Sequence, residues 1–186
     1  MAKKTKQIKK RIILTGAQGT GKTTLMNELA KDGTRTFSIA REAAIESGWN
    51  PETGSSEEYQ KTLFNTLLKA VSSKKNYISD RGLTCVAAYT FNGVLNEVIS
   101  KKTADNQYIK LSKFHTENPD ILLVYLPVEF PLESDGVRND DTKDQARMDF
   151  LIRNLLETSG IEYITVTGTV EERVKQIEDA LASQNL

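Results

Sequence analysis

Eight consecutive residues have the types and spacing needed to hold a polyphosphate: Gly16-Ala17-Gln18-Gly19-Thr20-Gly21-Lys22-Thr23. They fit G-x-x-x-x-G-K-[ST]. Glycines let successive backbone N–H groups curl around a phosphate, and a helix opening straight after them points its positive end at the same anion. A lysine in the seventh place reaches the β- and γ-phosphates, and the hydroxyl after it is a ligand for Mg²⁺. The expected ATP contacts are Gly16, Gln18, Gly19, Thr20, Gly21, Lys22, Thr23 and Thr24, with Thr23 on the metal side. Dinucleotide binders space their glycines as G-x-G-x-x-G, which this stretch does not follow.

A second pair with chemical capacity is Asp80-Arg81, in NYISDRG. At the carboxyl end of a strand such a carboxylate can orient Mg²⁺ or accept a proton from an acceptor hydroxyl, and its neighbour can grip a phosphate. The bland alternative is a strand-end Asp-Arg making turn contacts. Other signatures narrow the class further. The N-K-x-D of regulatory GTPases and the LSGGQ of ABC ATPases are both absent, and DILLVYLP ends in proline where motor ATPases place adjacent acids. A small phosphotransferase remains.

These groups need a scaffold, and the chain alternates strand and helix to supply one. RIILTG (11–16) reads as a strand ending in glycine, and 23–31 as a helix with Leu25, Met26, Leu29 and Ala30 on one face. Strand 36–40 leads to a short helix at 41–47, and a longer helix spans about 56–73. Strand 76–80 is followed by a helix at 83–100, expected to break near Asn92-Gly93, and another at about 104–116. DILLVYLP is an unbroken apolar run, as in a strand buried on both faces of a parallel sheet. Thr142-Lys143-Asp144-Gln145 resembles a capping box opening a helix, EYITVTG is the fifth strand and 171–183 the last helix. Five strands alternating with helices predict an α/β fold of three layers around a parallel sheet, as one domain over residues 11–186.

Hydrophobic content of 38% and charged content of 27% suit a globular chain with a sizeable core. Formal net charge is zero but uneven. The first eleven residues carry six basic side chains and no acid, leaving 19 basic against 25 acidic residues beyond them. The leader at 1–10 reads either as a solvated tail or as an arm that grazes nucleic-acid phosphates. No segment has the length of a membrane span. With Cys85 the only cysteine and His115 the only histidine, an internal disulfide is impossible, and a reducing cytoplasm is the expected location (a host's, for a phage-encoded chain).

Three segments, GAQGTGKTTL, SDRGLTCVAAYT and FPLESDGVRNDDTKDQAR with the trailing VTGTVEERV, together resemble the P-loop kinases of the ribosylnicotinamide-kinase-like group, AAA-type proteins of bacteria and phages. The resemblance implies a P-loop NTPase fold with sheet order 2-3-1-4-5, a kinase activity, and ATP with Mg²⁺ as cofactors. Thr23 and Asp80 would then hold the metal, and Lys22, Asp80 and Arg81 would act on the transferring group. Glu133 to Phe150 packs six carboxylates around Arg138, Lys143 and Arg147. In a kinase this stretch falls within a lid, about 128–150, whose Arg138 and Arg147 are expected over the phosphates. Alone, it would read as a solvated charged loop.

Two departures concern the acceptor. Relatives place a Glu where Ser38 stands, ahead of Ala40-Arg41, and often an acid where Cys85 stands. Arg41, Glu42 and Trp49 are the expected acceptor-side residues. Trp49 either stacks on a base or anchors its loop to the long helix. Tyr89 and Phe91 read as core more readily than as substrate contacts. The leading expectation is a kinase for a free nucleoside- or nucleotide-like acceptor. Its rivals are a phage DNA kinase acting on hydroxymethyl pyrimidines and a nucleotide-dependent binding module, and the oligomeric state is open.

Overall fold

A computed structural model of the chain describes residues 10–38, 56–73, 75–130 and 142–184. Five strands form one parallel sheet: β1 (Arg11–Thr15), β2 (Thr36–Phe37), β3 (Tyr77–Ser79), β4 (Leu122–Tyr125) and β5 (Ile164–Thr165). Their order is β2-β3-β1-β4-β5, as the resemblance implied. Six helices connect them among the described residues: α1 (Lys22–Leu29), α2 (Glu57–Val71), α3 (Leu83–Leu95), α4 (Lys101–Glu117), α5 (Thr142–Thr158) and α6 (Val170–Gln184).

Strand β1 lies between β3 and β4, pairing Ile12 with Ile78 and with Leu122. All five of its residues are buried. Because side chains alternate along a strand, Ile12 and Leu14 face one layer and Ile13 the other. The first layer gathers Leu25, Met26 and Leu29 of α1 and Ile177 and Leu181 of α6. The second gathers Phe64 and Leu67 of α2, Val86 of α3, Leu111 of α4 and Ile152 of α5. An apolar β1 flanked by two amphipathic layers is what fixes the three-layer arrangement.

Not all of the basic leader is solvated. Arg11 is 1% exposed and donates to Asp120 Oδ1 at 2.7 Å and to Asn118 Oδ1 at 3.2 Å. Lys10 donates to the Leu29 carbonyl at 2.6 Å and to Asp32 at 2.9 Å. Two of the six leading cations are thereby committed to the fold; the others, at 3–9, lie outside the described residues.

Helix α3 runs through Gly93 and ends at Leu95, so the expected break falls just past Gly93 and the helix does not continue to 100. Glycine is required there by packing, because a Cβ at residue 93 would run into the Ile99 side chain. The Gly93 carbonyl also accepts the Val98 and Ile99 N–H groups at 2.9 and 3.2 Å, ending the helix a few residues later. From α2, Glu57 accepts the Ser100 N–H at 2.8 Å and the Thr103 hydroxyl at 2.7 Å, joining the start of α4 to α2.

His115, near the end of α4, is 9% exposed, and its Nε2 has no hydrogen-bond partner. Burial pushes its pKa down from 6.5 to about 4. Between those values the unfolded chain binds more protons than the folded one, so stability rises with pH across this window and is complete above about 6.5. Denaturant unfolding measured from pH 7 down to 4.5 should lose up to about 3 kcal/mol, and His115→Leu should flatten that slope. The Asp32 and Glu57 carboxyls, which hydrogen bonds hold down at about 2, stay ionised in the folded chain across this range, and their stabilisation is lost mainly below their ordinary values of 3.8 and 4.5.

Candidate active site

The sheet's topology brings two chemical groups together. Strands β1 and β3 are neighbours and point the same way, so the glycine-rich loop leaving Thr15 and the Asp80 leaving Ser79 emerge side by side at the carboxyl edge. Ligands gather at this edge in open α/β sheets.

The loop lies tightly on that edge. A Cβ at Gly16, where φ is 149°, would overlap the Leu126 carbonyl oxygen. Gly21 stands at φ 83° as the N-cap of α1, a left-handed conformation that L side chains avoid. Lys22 is 6% exposed and folds back over the loop, donating to the Ala17 carbonyl and to Thr20 Oγ1 at 3.1 Å. Thr20 Oγ1 in turn donates to the Ala17 carbonyl at 3.0 Å. The ammonium thus lies inside the turn that would surround a phosphate.

Thr23 Oγ1 donates to Asp80 Oδ2 at 2.8 Å, and Ser38 Oγ donates to the same oxygen at 3.3 Å. Ser38, at the position where the resemblance implies an acid, therefore supports Asp80 with a hydroxyl. A hydroxyl beside a single carboxylate is the hard oxygen set that Mg²⁺ takes from a protein while nucleotide phosphates and water fill its other positions. Thr23 and Asp80 fit that ion.

Arg81 follows at the rim, its guanidinium 5.9 Å from the Tyr89 ring centre. Desolvation works against its charge, but Tyr89, Cys85 and Asp80 outweigh that effect and raise its pKa. Tyr59 of α2 lies near enough for the Arg81 charge to oppose the upward push of burial on its phenol. Beneath the loop, the buried Cys85 thiol sits 3.1 Å from Thr15 Oγ1 and 3.8 Å from the Gly16 carbonyl.

Gln18 connects the loop to two helices. Its Oε1 accepts the Tyr89 hydroxyl at 3.3 Å, and its Nε2 donates to Asp144 of α5 at 3.2 Å. Gln145 sends its amide to the Gln18 carbonyl at 2.8 Å, so the helix begins where the capping pattern placed it while Gln145 serves the loop. Tyr89 accordingly both packs on the core and touches the cradle.

Placement of the remaining expected residues is uneven. Gly19 and Thr24 sit exposed in and just after the loop, and Arg147 is exposed on the second turn of α5 with no bond to another described residue. Arg138, Arg41, Glu42 and Trp49 lie outside the described residues, as do residues 131–141 of the expected lid. One contact on the cradle was not foreseen. Arg173 of α6 donates to the Thr20 carbonyl at 2.8 Å. Thr169-x-x-Glu172 forms a capping box, with Thr169 N to Glu172 at 2.7 Å and Glu172 N to Thr169 Oγ1 at 3.3 Å. That pattern could have placed Arg173 in the first turn of the helix.

Family comparison covers nearly the whole of this architecture. The family model for the AAA domain matches residues 11–173, from the start of β1 into α6. The chain belongs to the AAA domain family. No curated protein matches it closely enough in sequence to count as a relative. Solved structures share this AAA domain's fold at low identity. A deoxyadenosine kinase from M. mycoides, solved with dCMP and dCDP, aligns with TM-score 0.62 and 16% identity over 93% of this chain and 98% of that one. NadR in complex with NAD and AMP-PNP aligns at 0.70 and 14%, over 94% of this chain but only 50% of its own. Shikimate kinase from Aquifex aeolicus aligns at 0.60 and 17%, over 95% and 98%. The shared feature is the fold of P-loop kinases.

Gly16→Ala tests the loop's seat on the sheet. Neither the Leu126 carbonyl nor the loop backbone can give way cheaply, so thermal or denaturant unfolding should show a loss of about 3 kcal/mol.

Proposed function

We propose that this AAA domain protein is a Mg·ATP-dependent phosphotransferase acting on a nucleoside- or nucleotide-like acceptor. The observation that carries this reading is Asp80, held by Thr23 of the phosphate loop on one side and by Ser38 of the neighbouring strand end on the other. A carboxylate so placed faces both the donor's terminal phosphate and whatever lies against β2. In the reaction, an acceptor oxygen forms a bond to the γ-phosphorus as the bond to the β–γ bridging oxygen breaks, and ADP leaves. The acceptor's proton passes to Asp80 or to solvent. Lys22 and the loop backbone bind the phosphates and balance their charge, and bound Mg²⁺ would neutralise charge on the β- and γ-oxygens. Arg81, beside Tyr59 and Tyr89, lies on the acceptor side and suits an acceptor with a polar or anionic edge.

Lys22→Ala should lower γ-phosphate transfer by a factor of a hundred or more while the fold persists, consistent with losing a charge aimed at the transition state. Asp80→Asn should abolish turnover and largely spare ATP affinity. The assay is labelled γ-phosphate transfer to free nucleosides, nucleoside monophosphates, nicotinamide riboside, and DNA with and without hydroxymethyl pyrimidines. Label confined to DNA would move the assignment to a polymer kinase, the reading that the leader's remaining lysines favour. Slow hydrolysis with no acceptor stimulation would favour a nucleotide-controlled binding module instead.

We also propose that residues 128–150 act as the lid. Arg138→Ala and Arg147→Ala should then cut turnover more than they weaken ATP binding, and steady-state kinetics against equilibrium ATP titration separates the two effects. Activity equal to the parent's would return the segment to an ordinary charged loop.

A further inference from the structure

Arg173 is 3% exposed, and the chemistry described above does not use it. Its guanidinium joins three segments that are far apart in sequence. One nitrogen donates to the Thr20 carbonyl at 2.8 Å, and the other pairs with the Glu129 carboxylate just after β4. The Phe130 ring lies 5.5 Å away. Glu129 also accepts the Gly168 N–H at 3.2 Å, so the turn between β5 and α6 is tied to the same pair. The guanidinium also lies close to Gly21, where a Cβ would stand in van der Waals contact with it at 3.4 Å.

We infer that Arg173, fixed by Glu129, is a positioning residue that presets one peptide of the phosphate loop. A trans peptide is planar, and its C=O and N–H point in opposite directions. Holding the Thr20 oxygen outward against Arg173 therefore aims the Gly21 N–H the other way, into the turn where Lys22 folds back. That N–H meets the anion without having to reorient when it arrives, and fixed dipoles of this kind bind more tightly than ones that must first be ordered. The guanidinium needs its carboxylate for this. Arg173 Nε has no hydrogen-bond partner, so the Glu129 pair and the Thr20 bond define its position.

This inference rests on the ATP-binding reading above, and it predicts a loss that depends on how many phosphates reach the loop. Titrating ATP, ADP and AMP against Arg173→Met should show ATP and ADP binding ten-fold or more weaker and AMP little changed. Arg173→Lys should recover only part of the loss, because an ammonium cannot reach Thr20 and Glu129 with the same fork. Glu129→Gln should reproduce the phosphate-dependent loss, and adding it to Arg173→Met should cost nothing further. Glu129 is part-exposed, so this variant serves should Arg173→Met not fold. Unchanged ATP affinity in a folded variant, or an equal loss for all three nucleotides, would overturn the positioning role alone. A parent chain that binds no nucleotide would overturn both this role and the reading beneath it.

Discussion

The constraint on which the rest depends is the close seat of the phosphate loop on the sheet's carboxyl edge. A loop that wraps an anion must present its own backbone, and glycine-rich backbone has little stiffness of its own. Here the stiffness is supplied from outside. Leu126 N donates to the Thr15 carbonyl at 2.8 Å, which carries the β1–β4 ladder to the mouth of the loop. Gly16 is pressed against the Leu126 carbonyl, Gln145 holds the Gln18 carbonyl, and Arg173 holds that of Thr20. Each support comes from a different element. The three-layer packing around β1 is what lets strand, helix and turn converge on eight residues.

The sequence was most informative where local pattern and chemistry agree. The strand–loop–helix of residues 11–29, the buried run ending at Leu126 and the Asp80 strand end are short-range features, and all are where periodicity and motif placed them. Misreadings arose where a residue answers to a distant partner. Gly93 looked like the break itself because glycine weakens helices on average, yet the Ile99 side chain demands it inside the helix, which ends just past it. Lys10 looked like part of a leader that is solvated or reaches for phosphates, and it bonds Leu29 and Asp32, about twenty positions away. Gln145 fitted a local cap and instead bonds a carbonyl 127 residues back. Arg173 sits in the quoted VTGTVEERV and just after a capping box, but neither names its partner. Its role follows from the sheet order, which places the first turn of α6 behind a loop 153 residues earlier.

Ser38 bears most directly on the acceptor. Where the resemblance implies a carboxylate, this chain has a hydroxyl that points at Asp80. One oxygen of Asp80 thus receives two hydroxyl hydrogens, and on the phosphotransferase reading the carboxylate must serve both metal and acceptor. Phosphoryl transfer tolerates such economy. Its transition state is loose, with little bond formation to the nucleophile when the leaving group departs, so an acceptor hydroxyl needs placement more than a strong base. A serine that fixes one carboxylate rotamer contributes to placement; a second carboxylate at that distance would add like-charge repulsion beside the metal site. On that reading, a hydroxyl where the resemblance implies an acid favours geometric control over acid–base pairing. Arg81 lies beside Asp80 in sequence, with its charge felt by both Tyr59 and Tyr89.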